Sequence, residues 1–431
     1  MSVGLQRLRD EPDALRKGAV DKGQDQSLVD RAIAIESARR RLTGEADALR
    51  AQRKEISAQV GAAMMEGRSP ASVDGLRDRS VEFGGQIDQI ERRLASLESE
   101  LEELMLRIPN PPDPDVPRGG PEATTTVRAW GEALASDAGG WTRRPHWELV
   151  EHLGIVDLVR GAKITGSGFP VYRGAGAALQ RALINFFLSI HTQEHGMTEI
   201  WPPVLVNADS ARGTGQIPDK EEQMYVVTRD DLYLIPTAEV PVTNLHRDEI
   251  LDGAQLPIRY VAYSASFRRE AGAAGRQTRG IQRVHQFDKV EMVAFVRPED
   301  SASTLDSLTQ AAEVLLQRLG LAYRVRLLAT GDMGFTQART HDLEVWAPGA
   351  GEWLEVSSVS NFRDFQARRM NIRYRPSAGA KPEIVHTLNG SGLALPRTVA
   401  SLLEVYQQPD GSVLVPEALR PFLGLDTITP G

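Results

Sequence analysis

YVAYSASFRREAGAAGRQTRGIQRVHQFDKVEMVAFV, residues 260–296, decides the reading of this chain. It alternates as two strands do around a glycine-rich loop. In the first strand Ser264, Ser266, Arg268 and Glu270 share a parity, with Val261, Tyr263 and Phe267 on the other. In the second, Arg283, His285, Phe287, Lys289 and Glu291 lie opposite Val284, Val290, Met292 and Val296. Side chains alternate along a strand, so each strand has one mainly apolar face and one charged face. A charged face is ordinarily just solvated. Here it sets an aromatic ring among arginines and glutamates, beside a loop carrying Gly272, Gly275, Arg276, Arg279 and Gly280. Cations for phosphates, a flat ring for a base and carboxylates for amines or a metal suit a nucleotide plus an amino compound.

At 431 residues the chain is long enough for two or three domains, one with a sizeable core. A net charge of −8 argues against indiscriminate nucleic-acid binding but leaves room for a local basic surface. There is no cysteine, so disulfides, thiolate zinc sites and a Cys nucleophile are excluded. The longest apolar run, near Leu183–Ile190, is too short to span a bilayer, and MSVGLQRLRDEPD at the start has no signal-type apolar stretch. No membrane association is expected, and the expected location is the cytoplasm. Neither G-x-x-x-x-G-K-[ST] nor a post-strand G-x-G-x-x-G occurs, so any bound nucleotide must be held by side chains.

Residues 28–66 place Leu28, Ile35, Leu42, Leu49 and Ile56 at a seven-residue step, with Ala32, Ala46 and Val60 between. Residues 72–108 place Leu76, Phe83, Ile87, Ile90, Leu94, Leu97, Leu101, Leu104 and Ile108 mostly at alternating steps of four and three. Each pattern is a coiled-coil seam. Gly67 and Pro70 break it between them, which predicts an antiparallel hairpin projecting roughly 55–60 Å. Heptads ordinarily serve dimerisation or spacing, but here the first helix is net basic and the second net acidic. The prolines and glycines of IPNPPDPDVPRGGPEA, residues 108–123, forbid continuous helix and mark a domain boundary. The expected organisation is an arm over 1–110, a linker over 111–127 and a second, larger domain over 128–431.

A helix from about Gly176 carries Leu179, Leu183, Phe187 and Ile190 on one face and ends in His191-Thr-Gln-Glu-His195. Those residues match the H-x-x-E-H zinc pattern. A polar last turn stopped by Gly196 is the preferred reading, and no structural zinc is expected. Farther on, EIVHTLNGSGLALPRTVASLLEVYQ, residues 383–407, reads as strand, turn, then helix. Pro396 suits the first helical turn, and Gly390 and Gly392 let the backbone approach a ligand.

FRRE at 267–270, TRG at 278–280 and RVHQF at 283–287 resemble signature motif 2 of class II aminoacyl-tRNA synthetases. With IPTAE at 235–239 and HTLNGSG at 386–392, the resemblance narrows to bacterial-type seryl-tRNA synthetases. It implies an α+β chain: an N-terminal antiparallel coiled-coil hairpin, then a class II catalytic domain on an antiparallel β-sheet flanked by helices. Motif 1 would fall at about 177–206, with Pro203 at its proline position, and would form a homodimer. Motif 2 would span about 260–296 and motif 3 about 383–408.

The resemblance also implies roles. ATP would be bound by Arg268, Arg269, Glu270, Val284, Phe287, Glu355, Val356, Ser357, Ser358 and Arg397. Within that set Arg268 takes the α-phosphate and the acyl carboxylate, Glu270 the adenine amino group and Phe287 the adenine face. Arg397 covers the other face and reaches the γ-phosphate. Magnesium would sit on Glu355 and Ser358. These differ in parity, so a bulge or strand end is required there. Serine would be met by Thr237, Ala238, Glu239, Arg268, Glu291, Asn389 and Ser391, and Arg268, Arg397 and Glu355 would carry the catalysis. The arm would grip tRNA(Ser) through Arg39, Arg40, Arg50, Arg53 and Lys54, by sequence-independent and salt-sensitive phosphate contacts. Selenocysteine tRNA is a second substrate the family often charges.

Residues 216–229, QIPDKEEQMYVVTR, depart from the family by lacking a basic-aromatic pair after the proline. Three other readings compete: a paralogue loading a carrier protein or serving antibiotic self-protection, a catalytically dead tRNA-binding regulator, and a coiled-coil scaffold. The long arm opposes the carrier-loading version, Arg268 and Arg397 oppose the second, and the charged strand faces oppose the third.

Overall fold

The computed structural model describes residues 3–137, 139–271 and 279–430. Gly272, Gly275, Arg276 and Thr278 of the glycine-rich loop therefore lie outside the described residues. The chain divides into two compact units, Met1–Val20 with Gln24–Pro109, and Asp21–Gly23 with Asn110–Gly431.

The first unit is dominated by two long helices, α1 (Ser27–Met65) and α2 (Asp74–Arg107). Gly67, at φ +76°, and a 3-10 turn at Pro70–Val73 reverse the chain between them. Val29, Ala32, Ala46, Ile56 and Ala63 are buried on α1, and Ile87, Leu97, Leu101, Leu104 and Met105 on α2. Leu28, Ile35, Leu42 and Leu49 are only half-buried, because a two-helix seam stays open along both flanks. Glu36, 2% exposed, is balanced by Arg9 at 3.2 Å and Arg39 at 2.8 Å.

The second unit is built on eight strands: β1 (Thr125–Trp130), β2 (Thr198–Ile200), β3 (Ile258–Phe267), β4 (Gln286–Val296), β5 (Tyr323–Leu327), β6 (Arg339–Ala347), β7 (Glu352–Arg363) and β8 (His386–Ala394). Their spatial order is β1-β5-β6-β7-β8-β4-β3-β2. Every neighbouring pair is antiparallel except β2 with β3. Three helices, α3 (Ala175–Gln193), α4 (Ser301–Arg318) and α5 (Leu395–Tyr406), pack on the sheet with the even residues Val290, Met292, Ala294 and Val296 of β4 in one continuous core. The odd residues of β4 face elsewhere. Val293 and Phe295 enter a smaller core, while Phe287, Lys289 and Glu291 line a cleft.

The two central strands are shorter than their alternation suggests. β3 stops at Phe267 and β4 starts at Gln286, so Arg268, Glu270, Arg283 and His285 stand just beyond the ladder. The reason is competition for backbone hydrogen bonds. His285 N–H donates to Gly168 O at 2.8 Å instead of closing the next pair with Arg268, whose own N–H still donates to His285 O at 2.9 Å. On the other edge of β3, Phe267 N–H donates to Ile235 O at 2.8 Å and Arg269 N–H to Gln223 O at 2.9 Å. Glu270 takes a left-handed φ of +48°, uncommon for a residue with a Cβ.

α5 is tied to the helical segment His146–His152 by a buried carboxylate. Glu404 Oε1 accepts His146 N–H at 2.7 Å and lies 2.9 Å from His146 Nδ1, while Oε2 accepts Gly349 and Ala350 N–H, each at 2.9 Å. Both side chains are fully buried. Replacing Glu404 by Ala strands these donors, and a buried group left without its partner costs roughly 3–5 kcal/mol. Chemical denaturation of Glu404→Ala should show a loss of that size; a change under about 1 kcal/mol would mean that water replaces the carboxylate without difficulty.

Candidate active site

The cleft has a volume of about 470 Å³. Of the residues expected at ATP, Arg268, Glu270, Val284, Phe287, Glu355, Val356, Ser358 and Arg397 line it; of those expected at serine, Thr237, Glu239, Glu291, Asn389 and Ser391 do so as well. Three expected residues do not. Arg269 is exposed and donates to Glu222 O at 3.0 Å. Ala238 is buried in the smaller core, and Ser357 is buried with its hydroxyl donating to Ser391 O at 2.6 Å.

At one end a guanidinium lies over a ring, and a second guanidinium lines the same cleft. The Arg268 guanidinium lies 5.1 Å from the Phe287 ring centre, and its Nε donates to Pro236 O at 3.3 Å. Burial lowers its pKa, opposed by the charges of Glu270 and Glu355. Arg397 donates to Glu355 O at 2.8 Å and approaches the Glu355 carboxylate at 3.3 Å. Glu270 pairs with Arg283 at 3.3 Å. This end concentrates fixed positive charge beside a flat apolar surface, which suits a polyphosphate and a base.

The parity conflict between Glu355 and Ser358 is resolved by a bulge. Leu343 of β6 pairs with Ser357, and the next residue, Glu344, pairs with Glu355, so Val356 is extra on β7. One inserted residue lets both polar side chains reach the cleft. Behind them Asp342 hydrogen-bonds Ser358 and keeps a buried Oδ1 without a partner, and burial, then the charge of Glu355, push its pKa well up. An all-oxygen set of this kind, with an unsatisfied carboxylate oxygen beside it, fits a hard divalent cation shared with phosphates. Among the described residues no three His, Cys, Asp or Glu side chains are grouped to hold a metal by themselves.

At the other end a polar nest closes around two glutamates. Asn389 donates to Glu291 Oε1 at 2.8 Å, Lys289 Nζ lies 2.6 Å from Glu291 Oε2 and donates to Thr237 Oγ1 at 2.8 Å, and Gln366 donates to Glu239 Oε1 at 2.6 Å. A bulge shapes this wall too: between the pairs Lys289–Ala394 and Glu291–Ser391 β8 carries one extra residue, and Leu393 adopts φ +105°. Lys289, Gln366 and Asp342 were not assigned from the sequence. Lys289 shares the parity of Phe287 and Glu291, a signal that could have found it. Gln366 had none, since it lies 127 residues from Glu239.

The H-x-x-E-H residues sit elsewhere. His191 Nδ1 and His195 Nδ1 are 3.0 Å apart, and Glu194 pairs with Arg318 at 2.6 Å. Burial takes His191 down to about 3, so this buried ring is neutral.

Glu239 gives the site a pH signature. Burial first, and then the Glu291 charge, push its carboxyl from 4.5 up to about 7. A raised folded-state pKa contributes stability that is complete below about 4.5 and is lost as pH rises through about 7. Denaturation of the ligand-free protein from about pH 5 to 8 should therefore lose on the order of 2 kcal/mol through this group. Glu239→Gln should flatten that slope; parallel curves for the two proteins would show that Glu239 titrates normally.

Sequence comparisons place the chain among known proteins. The tRNA synthetase class II core domain (G, H, P, S and T) matches residues 225–406, and the Seryl-tRNA synthetase N-terminal domain matches residues 4–112. The serine--tRNA ligase of Gemmatimonas aurantiaca is 52% identical over 423 residues, 97% of this chain and 98% of its own. That of Geobacillus kaustophilus is 50% identical over 418 residues, 97% of each. The crystal structure of seryl-tRNA synthetase from Pyrococcus horikoshii complexed with ATP superposes with a TM-score of 0.95 at 35% identity, covering 99% of both chains. Half-identity along nearly the whole length, together with an antiparallel sheet that carries this charged cleft, means that the chain belongs to the seryl-tRNA synthetase family.

Proposed function

We propose that the chain is a serine–tRNA ligase, activating L-serine with ATP and passing the seryl group to tRNA(Ser). The observation that carries this reading is one cleft holding Arg268, Phe287 and Arg397 at one end and the Glu291–Thr237–Asn389 nest at the other. In the first step the serine carboxylate attacks the α-phosphorus of ATP and pyrophosphate leaves. Arg268, at the junction of the two ends, draws carboxylate and α-phosphate together, and Arg397 stabilises the departing phosphates. Phe287 orients the adenine by stacking, with Glu270 accepting from its amino group. Magnesium, bound by Glu355 and Ser358 together with the phosphates, would neutralise their charge. In the second step the terminal adenosine hydroxyl of the tRNA attacks the acyl carbon.

Serine is chosen by paired polar groups. Glu291, 1% exposed, with Thr237 and Ser391, meets the ammonium and the hydroxyl. Alanine would leave a buried acceptor unpaired, and such sites discriminate by roughly 10⁴ or more. Residues 1–110 serve as the tRNA-binding arm, 111–127 as the linker and 128–431 as the catalytic domain. In the arm Arg40, Arg53 and Lys54 are exposed, free to meet phosphates. Arg39 is engaged by Glu36, and Arg50 by Asp47 and Glu91, which fixes their direction. A homodimer through motif 1 is supported by the exposed ring of Trp201; Val159 and Ile164, which precede the motif, are exposed and apolar too. Among the described residues no helix is long and apolar enough to cross a membrane, and the reaction belongs to the cytoplasm.

Two measurements test this. ATP–pyrophosphate exchange across a panel of amino acids should respond to serine alone, and Glu291→Ala should cut it by at least about 100-fold, the scale of one buried charged contact. Wild-type exchange in that variant would remove Glu291 from the site. Replacing residues 28–107 by a short flexible link should leave exchange intact and lower charging of tRNA(Ser) and tRNA(Sec) transcripts at least tenfold; equal charging would remove the arm from tRNA recognition.

A further inference from the structure

The amino-acid end of the cleft is short of one positive charge. Glu239 is 6% exposed, Glu291 1% and Lys289 5%. The ammonium of Lys289 is committed to Glu291 Oε2 at 2.6 Å and Thr237 Oγ1 at 2.8 Å. Glu239 receives a neutral donor instead, the Gln366 amide at 2.6 Å. Other charges face Glu239 less directly. Lys220 lies on the exposed rim, and Arg268 is already shared among Glu270, Glu355 and Glu291. With both carboxylates ionised, the nest would hold two negative charges against one resident cation. A buried uncompensated charge is expensive, so the empty pocket keeps a proton. Glu239, the carboxylate without a cation, is where that proton sits, and its upward shift agrees.

If the substrate is an α-amino acid, as proposed above, it brings the missing cation. Glu291 Oε2 lies near Lys289 but makes no well-aligned hydrogen bond, so it retains capacity for an incoming N–H or O–H donor. We propose that the ammonium of serine completes the charge balance of this pocket: serine binds with loss of the Glu239 proton to solvent, while Lys289 stays with Glu291. A single covalent bond changes. The O–H bond of the Glu239 carboxyl breaks, the proton goes to buffer, and the carboxylate faces the substrate ammonium. Lys289 thereby becomes a positioning residue that holds the Glu291 carboxylate in place through its ion pair. The sign follows: because the deprotonated form binds serine, affinity weakens as pH falls below the titration of Glu239 and is flat above it.

The test is calorimetric and needs the full chain alone. Serine is titrated into the protein at about pH 6 and about pH 8, each in two buffers of different ionisation enthalpy. The expected result is close to one proton released per serine at the lower pH and close to none at the higher, with Kd rising about tenfold per pH unit below the titration. In Glu239→Gln the release should vanish and Kd should become independent of pH. Should that variant fold poorly, the two-buffer measurement on the unaltered protein still decides. Serine binding without proton release at the lower pH overturns the inference and leaves the ligase reading standing. Release that persists in a folded Glu239→Gln protein overturns the assignment to Glu239. Absence of both serine binding and serine-dependent exchange overturns the ligase reading itself.

Discussion

The pairing of β3 with β4 is the constraint on which the rest of this structure depends. It sets Ser266 against Phe287 and Ser264 against Lys289, and by strand alternation it sends Phe287, Lys289 and Glu291 to one side and Val290 and Met292 to the other. A slip of one residue would exchange these faces, burying a lysine and a glutamate under the helices and exposing the core. The apolar set packed against α3, α4 and α5 opposes any such slip. Packing of the hydrophobic face thus holds the charged face in register, and catalysis inherits its precision from the core.

Where the chemistry is concentrated, the regular pattern is broken. The extra Val356 on β7 brings Glu355 and Ser358 to the same cleft. The extra residue on β8, with Leu393 at φ +105°, turns the wall that carries Asn389 and Ser391. Glu270 stands in a left-handed conformation just past the end of β3. A uniform sheet would split these side chains between two faces. The departures cost local backbone strain, offset by a sheet whose neighbouring strands are deeply buried.

Charge in the cleft is handled by separation. The phosphate end sets Arg268 over Phe287 and Arg397 in the same cleft, with Glu355 paired to Arg397. The amino-acid end gathers two glutamates and gives them one lysine. Each end is left with a deficit of the sign its ligand would supply, so ligand charge is compensated by fixed groups instead of by water.

By itself the sequence determined a great deal. Heptad spacing over 28–66 and 72–108 gave the hairpin, because a helical seam is a local periodic property. Alternation over 260–296 gave the central strand pair and placed Phe287 and Glu291 together, because parity is also local. The demand for an irregularity between Glu355 and Ser358 could be stated from parity alone. Only the tertiary structure decided where the strands end, since Gly168 O takes the His285 N–H that would have closed the next pair with Arg268. It alone set Gln366 against Glu239 and Asp342 behind Ser358, and turned Ala238 and Ser357 away from the cleft. Those contacts join segments far apart in the chain, and no pattern of neighbouring residues encodes which distant group will satisfy a buried polar atom.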